Sequence, residues 1–464
     1  MNTINSAEIQ NSSEIFKRIS NYSGKQLINR LCFLAQVSVP LSLTAYDLAI
    51  QSIIENTWNV RLYQATLKSY NTIACSNGLP SFSPDELWIQ NTQSIVQQSL
   101  SRLETDLKNF TNNLLKDNIR ITYQELGAHY RKAGDHINAQ KAFSKAREHT
   151  TNPLHIVQLA FQTLDLAFDT HNLKLAHGHI SKVEAAIQAL IAAIETNPSN
   201  PKSTTPNNNL ISQPGFTAPV SSEKYLQLWN ERVKLATGLL ALAQGDYSKA
   251  AHSLLKISRE TSPNRTMEVL ATPNDIAVYT TLCSLASFDR QQLKERVIEN
   301  AEFRSILDTE PQLRNILNMF RENQFKVVLQ YLHDSLPVYR TDIYIADQID
   351  RLISIIQERA IMQYFAPFSS ARLSKASEIF GWSIESLQDH LADLIQKRTL
   401  SAKLDLDDGV LITNRQEIRP ALFQNAIQSA EKMELETKAA LLRLRLISGD
   451  IVVKDNSQSN AINF

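Results

Sequence analysis

Apolar residues recur at three- and four-residue steps through almost the whole chain, and one short stretch breaks that period. Ile349, Leu352, Ile356 and Ala360 mark an amphipathic helix. It must stop at Ala366-Pro367, because proline has no amide hydrogen with which to continue the ladder. A short helix is expected over Ala371 to Phe380. Gly381 breaks it, Ser383 is placed to cap the next, and Ile384, Leu387, Leu391, Leu394 and Ile395 form one stripe up to Lys397-Arg398, cations suited to a helix C-terminus. The period then falls to two. Leu400, Ala402 and Leu404 alternate with Ser401, Lys403 and Asp405, Asp407-Asp408-Gly409 makes a turn, and Val410 to Thr413 can return antiparallel. Helix, turn, helix, two-stranded ribbon is the winged-helix order, which serves either to read DNA or to join proteins.

Charge separates those uses. A DNA reader draws most of its affinity from cations set against phosphates. The second helix here carries Glu385, Asp389 and Asp393 against Lys397 and Arg398, and the ribbon adds Asp405, Asp407 and Asp408. The joining role is favoured.

Upstream, Ser83-Pro84-Asp85-Glu86 reads as a capped start with Ser83 as the cap, opening a long helix with Val96, Leu100, Leu103, Leu107, Phe110 and Leu114 on one side. A repeat follows: Tyr123, Leu126, Gly127 and Tyr130, then Ala139, Phe143 and Ala146, in tetratricopeptide spacing with Pro153 slightly late. Gly134-Asp135 marks its turn. Gly245-Asp246, Ala250, Leu254 and Ile257 repeat the offsets, and Asn323-Gln324-Phe325 before Val328-Leu329 is a fainter echo. Stacked repeats either bind proteins or extend a scaffold. Residues 1–80 read as a partly irregular region with helical pieces at Leu27–Ala35 and Leu48–Leu67. The Pro/Asn/Ser/Thr-rich stretch 196–222 reads as a disordered insertion, a spacer or a phosphorylation-controlled segment. After the ribbon, Ala421 to Ile447 forms a terminal helix that either joins other chains or folds back on its own repeats.

With 11 glycines and 15 prolines in 464 residues, the composition suits an almost wholly helical protein. The fold class is all-α, in four parts: 1–80, a helical-repeat solenoid over 81–340, the winged helix over 341–415, and the terminal helix and tail over 416–464. Lys plus Arg and Asp plus Glu both total 47, so no global field draws it to nucleic acid or an acidic membrane. No signal peptide or membrane span is evident, and three distant cysteines suit a reducing compartment, in the cytoplasm or nucleus. Phosphate-binding glycine motifs and nucleophile elbows are absent.

The residues then become specific. Asn274-Asp275-Ile276-Ala277-Val278-Tyr279, Leu282 to Leu293 and Glu310-Pro311-Gln312-Leu313-Arg314 resemble the segment entering the PCI domain in the subunit 1 family of the COP nine signalosome. Arg359 to Phe368 resembles the end of the long helix before its winged helix. Leu103-Glu104, Asp106 to Phe110 and Gly127 to Arg147 resemble its N-terminal helical half. The resemblance runs from about Leu87 to about Ile451, and the corresponding proteasome lid subunit is a nearby relative. It implies a non-catalytic scaffold without cofactors. The implied partners are other PCI subunits and a metalloprotease subunit that removes a ubiquitin-like modifier from cullins, with cullin-RING ligases as further candidates.

That metalloprotease chemistry needs His-x-His followed by a serine and an aspartate. His177-Gly178-His179 is present, but Ile187 and Leu190 stand where those ligands belong, and hydrocarbon holds no zinc. The candidate site is therefore an interface. Leu400, Ser401, Lys403 and Asp405 would offer a strand edge to a neighbouring winged helix, while Leu422, Met433, Leu441 and Leu444 would face partner helices in a bundle.

Overall fold

A computed structural model of the chain describes residues 15–78, 80–196, 222–257, 270–406, 408–413, 418–449 and 451. The expected insertion at 196–222, apart from its first and last residues, and most of the polar tail lie outside the described residues, as do residues 1–14. The chain divides into two compact units, Met1–Ile361 and Met362–Phe464.

The first unit begins with helices that contain the expected piece Leu27–Ala35 and extend through backbone the sequence reading left irregular. Residues 15–20 form α1, followed by α2 (Gly24–Val37), α3 (Ser42–Asn56) and α4 (Val60–Ser76). The single piece expected over Leu48–Leu67 is cut at Thr57-Trp58-Asn59, where the Asn59 side chain accepts from the Leu62 amide to start α4. Two small cores hold these helices. Ile15, Ile19, Leu31, Leu34, Ala45, Tyr46 and Ala49 gather with Val338 from far along the chain, and Ile28, Ile50, Ile53, Tyr63 and Leu67 form the other. The asparagines, serines and glutamines that make the sequence look irregular lie mainly on the outer faces.

Helix α5 (Glu86–Asn112) starts past the expected cap Ser83: it is Asp85 that accepts from the Trp88 amide. Its stripe from Val96 to Phe110 is only half-buried, Leu114 lies past the helix end in an exposed left-handed turn at φ 55°, and Thr92 is its one fully buried residue. Then α6 (Lys116–Ala133) and α7 (His136–Glu148) form the expected hairpin. Gly134 turns the chain with φ 85°, and Asp135 caps α7 by accepting from the Asn138 amide. Gly127 is glycine because a Cβ there would lie 2.4 Å from the Phe143 ring. Ala139, Phe143 and Ala146 are buried with Leu159 and Leu166, and Tyr123 and Tyr130 pack at the margin.

The next helices are α8 (Pro153–Asp169) and α9 (Leu173–Thr196), then α10 (Ser222–Gln244) and α11 (Tyr247–Leu254). The second hairpin copies the first more closely than the sequence reading recognises. Gly238 lies seven residues before the φ 79° turn at Gly245, as Gly127 lies seven before Gly134, and a Cβ on it would meet Leu254 at 2.7 Å. Helix α12 (Pro273–Ser287) is buried at every residue from Asp275 to Ala286, so it is enclosed on all sides. A short α13 (Arg290–Gln292) runs into a π-helical turn at Leu293–Ile298, followed by α14 (Ala301–Leu307), α15 (Pro311–Arg321) and α16 (Phe325–Tyr339). Asn323 takes the left-handed turn position at φ 64° between α15 and α16, so the faint echo is a third hairpin.

One buried polar cluster ties the first helices to the last of this unit. Arg30 on α2 donates to Asp342 at 2.9 Å and lies 3.8 Å from Asp275. Its guanidinium stacks 4.0 Å over the Tyr22 ring. Tyr22 donates to Asp275 and accepts from the Thr272 amide, and Tyr279 donates to Asp342 at 2.7 Å. Burial pushes the Asp275 carboxyl up while Arg30 pulls it back. Apart from the Arg30–Tyr22 stack, the partners are at least 63 residues apart along the chain, and Arg30 and Asp342 are separated by 312.

Helix α17 (Ile349–Phe365) ends where Ala366-Pro367 requires. In the second unit, residues 370–372 are not the start of a helix. They form β1 (Ser370–Arg372), and α18 (Leu373–Phe380) follows. Gly381 closes α18 at φ 69°, and α19 (Ile384–Gln396) is capped by Ser383 as expected. Strands β2 (Ala402–Asp405) and β3 (Val410–Thr413) complete an antiparallel sheet in the order β1-β3-β2. The expected two-stranded ribbon is thus a three-stranded sheet. Ala366-Pro367 turn the chain out of α17, the Phe368 amide donating back to the Phe365 carbonyl, and Ser370 to Arg372 then pair with Ile412 to Val410. The last helix is α20 (Ile418–Ser448).

Candidate partner interface

The sheet order leaves β2 on an edge, since among the described residues it pairs with β3 alone. Ala402 and Leu404 are half-buried, Leu404 lying opposite the fully buried Leu411, while Lys403 and Asp405 are exposed. Half-buried Leu400 and exposed Ser401 fall just before the ladder, in the connection from α19. Of the four residues assigned to the edge, Lys403 and Asp405 are therefore in the strand itself. An unpaired row of amides and carbonyls is a template for another strand.

On α19, Glu385, Asp389 and Asp393 are all exposed at four-residue steps and so share one line of the helix surface. Trp382 lies 4.9 Å from the His390 ring and stacks on Phe380, which braces the start of that helix. A recognition helix set into DNA would bring this acidic line close to phosphates, a repulsive arrangement.

Helix α20 spans 31 residues, and its described side chains are exposed apart from a half-buried Leu446. Leu422, Met433, Leu441 and Leu444 are 61%, 70%, 53% and 63% exposed. Two further leucines, Leu435 and Leu442, are exposed as well. At about 100° per residue they fall roughly 200° round from Leu422. The helix is thus apolar on opposite sides, which suits a position among several helices better than one shallow groove. The one-stripe sequence reading misses Leu435 and Leu442 because it follows a single face.

His177 and His179 lie on α9, with Ile187 and Leu190 buried further along the same helix. Burial holds His179 below the usual imidazole range. Among the described residues no group of three or more His, Cys, Asp or Glu could hold a metal ion. No described helix is long and apolar enough to cross a membrane.

Comparison with known proteins agrees with this geometry. Residues 85–296 match the family model "26S proteasome subunit RPN7", and residues 333–415 match the PCI domain model. COP9 signalosome complex subunit 1 of Emericella nidulans is 28% identical over 95% of this chain and 83% of its own length. Subunit 1b of Drosophila melanogaster is 27% identical over 96% and 87%. These shares must include most of residues 1–80, beyond the span over which the sequence resemblance is recognised. The 26S proteasome non-ATPase regulatory subunit 6 homolog of Arabidopsis thaliana is 21% identical over 78% of this chain. Helical hairpins lead into a three-stranded wing, residues 333–415 over that wing carry the PCI match, and the chain is similar along nearly its full length to the COP9 signalosome subunit 1 proteins.

Proposed function

We propose that the chain is a non-catalytic scaffold subunit of a signalosome. In this reading it positions other PCI subunits and the metalloprotease subunit that removes a ubiquitin-like modifier from cullins, and so regulates cullin-RING ubiquitin ligases in the cytoplasm and nucleus. The observation that carries the scaffold role is α20: a 31-residue helix with leucines on opposite sides, nearly all exposed. Apolar surface of that extent on one helix is stable in water only when partners cover it. The edge of β2 supplies a second contact, between winged helices.

The test is a Leu441→Asp, Leu444→Asp double variant expressed in the cells of origin. Both side chains are exposed, so the isolated chain should keep its helical content and thermal midpoint while losing co-purification with its partners. An unfolded variant, or one that retains its partners, would count against the bundle role of α20.

A second reading has its own support. The match over residues 85–296 carries a proteasome subunit's name, and the Arabidopsis proteasome relative aligns over 78% of the chain. A lid subunit would co-purify with ATPase subunits, which separates the two readings. A winged-helix nucleic-acid binder would instead show steeply salt-dependent affinity, against which the acidic line on α19 argues.

A further inference from the structure

Where the N-terminal helices meet the first repeat hairpin, the surface opens into a cleft of about 270 Å³. It is lined by Lys25, Arg131 and Lys132, with Asn56, Asn59 and Thr57 among the remaining side chains and no carboxylate. Arg131 and Lys132 lie in the last turn of α6, where the helix dipole favours cations. Lys25 has no such reason for its place. It lies in the first turn of α2, the end at which a cation is disfavoured, and that turn holds no acidic residue.

The acids nearby are already shared. Asp169, with a side chain 1% exposed, takes Arg131 Nε at 2.6 Å and Lys25 Nζ at 3.5 Å. Asp165 is divided between Arg232 at 2.5 Å and Arg131 at 3.8 Å. Asp135 is engaged at the cap of α7 by both the amide and the side chain of Asn138. Lys132 meets no carboxylate within ion-pair distance among the described residues and lies 4.0 Å over the Trp58 ring. Around the cleft Lys25, Arg131, Lys132 and Arg232 stand against Asp135, Asp165 and Asp169, so the cations exceed the acids by one. Burial, and after it Arg131, holds the Lys25 ammonium below its usual range against the pull of Asp169. His136, 3.4 Å from Lys25 Nζ, is held low by burial and then by Lys25.

We propose that this cleft binds a phosphate-class oxyanion, with Lys25, Arg131 and Lys132 as its counter-charges. Its volume is several times the roughly 30 Å³ share of one water molecule, so it admits a phosphoryl group together with the atom that carries it. Two sources share that chemistry: a phosphorylated side chain of a partner protein and a soluble polyphosphate.

The experiment is calorimetric titration of the full chain at constant ionic strength in chloride. One arm uses inorganic tripolyphosphate. The other uses a phosphoserine peptide beside its unphosphorylated counterpart. Saturable one-to-one binding is expected in at least one arm, and the tighter arm identifies the source. Lys132→Gln and Lys25→Gln should each weaken it at least tenfold, while Lys108→Gln on α5 leaves it unchanged. Lys132 is exposed, so its variant reads the site even if the loss of Lys25 from Asp169 disturbs folding. Absence of saturable binding in both arms, or binding that survives both substitutions, would overturn the assignment.

Discussion

Two glycines set how closely the repeat hairpins approach. A Cβ at position 127 would lie 2.4 Å from the Phe143 ring, which is itself 1% exposed and has no room to retreat. Gly127→Ala should therefore cost about 1–3 kcal/mol, the usual range for overpacking a filled core. Gly238→Ala meets both Cδ2 and Cγ of Leu254 at 2.7 Å, and that leucine is itself 0% exposed, so a loss in the same range is expected. Urea midpoints of the two variants, with slopes unchanged, would check both. Arg30→Met tests the polar cluster. It leaves Asp275 and Asp342 without their cation in a buried site, and removing one member of a buried pair costs about 3–5 kcal/mol. A loss below about 1 kcal/mol, the range of surface pairs, would show that the cluster does not hold the first helices in place. Gly127 was legible because Tyr123, Tyr130 and Phe143 frame it at repeat spacing. Gly238 was not, because no tyrosines stand at the matching positions around it, and only the packing against Leu254 reveals it. The Arg30 cluster joins residues up to 312 apart, a separation that no periodicity encodes.

At the scale of elements, the winged helix was legible wherever period and punctuation agreed. The end of α17, the Gly381 break, the Ser383 cap and the alternation of β2 all follow from local chemistry. Strand β1 was not legible, since Ser370-Ala371-Arg372 carries no alternating apolar pattern and is a strand only because β3 pairs with it. The first helices were legible only in part, as the pieces Leu27–Ala35 and Leu48–Leu67: polar neighbours dilute their stripes until Val338 and other distant residues cover them. The candidate edge was read two residues too long, as Leu400 and Ser401 belong to the connection. Helix α20 should keep its helicity when Leu435 and Leu442 are changed to Ser, because both are exposed. If α20 lies inside a bundle, those changes should weaken assembly as Leu441→Asp and Leu444→Asp do. Circular dichroism of the isolated chain, beside co-purification, separates the two effects.

For the whole molecule, partly desolvated histidines predict acid sensitivity. Burial holds His129, His136, His155, His171 and His179 below the ordinary imidazole value. The unfolded chain then binds more protons than the folded one just below about pH 6.5. Stability should therefore be full above that value and fall as pH drops through it towards the lowered folded values. The urea midpoint at pH 5.5 should lie below that at pH 7.5, and equal midpoints would contradict the histidine account. The central claim concerns assembly, and tagging the chain at its N-terminus, purifying it gently from its own cells and identifying its companions by mass spectrometry tests it most directly. The account predicts several PCI proteins, one metalloprotease and cullins, without proteasomal ATPases. Recovery of the chain alone, with nucleic acid or with those ATPases would contradict it.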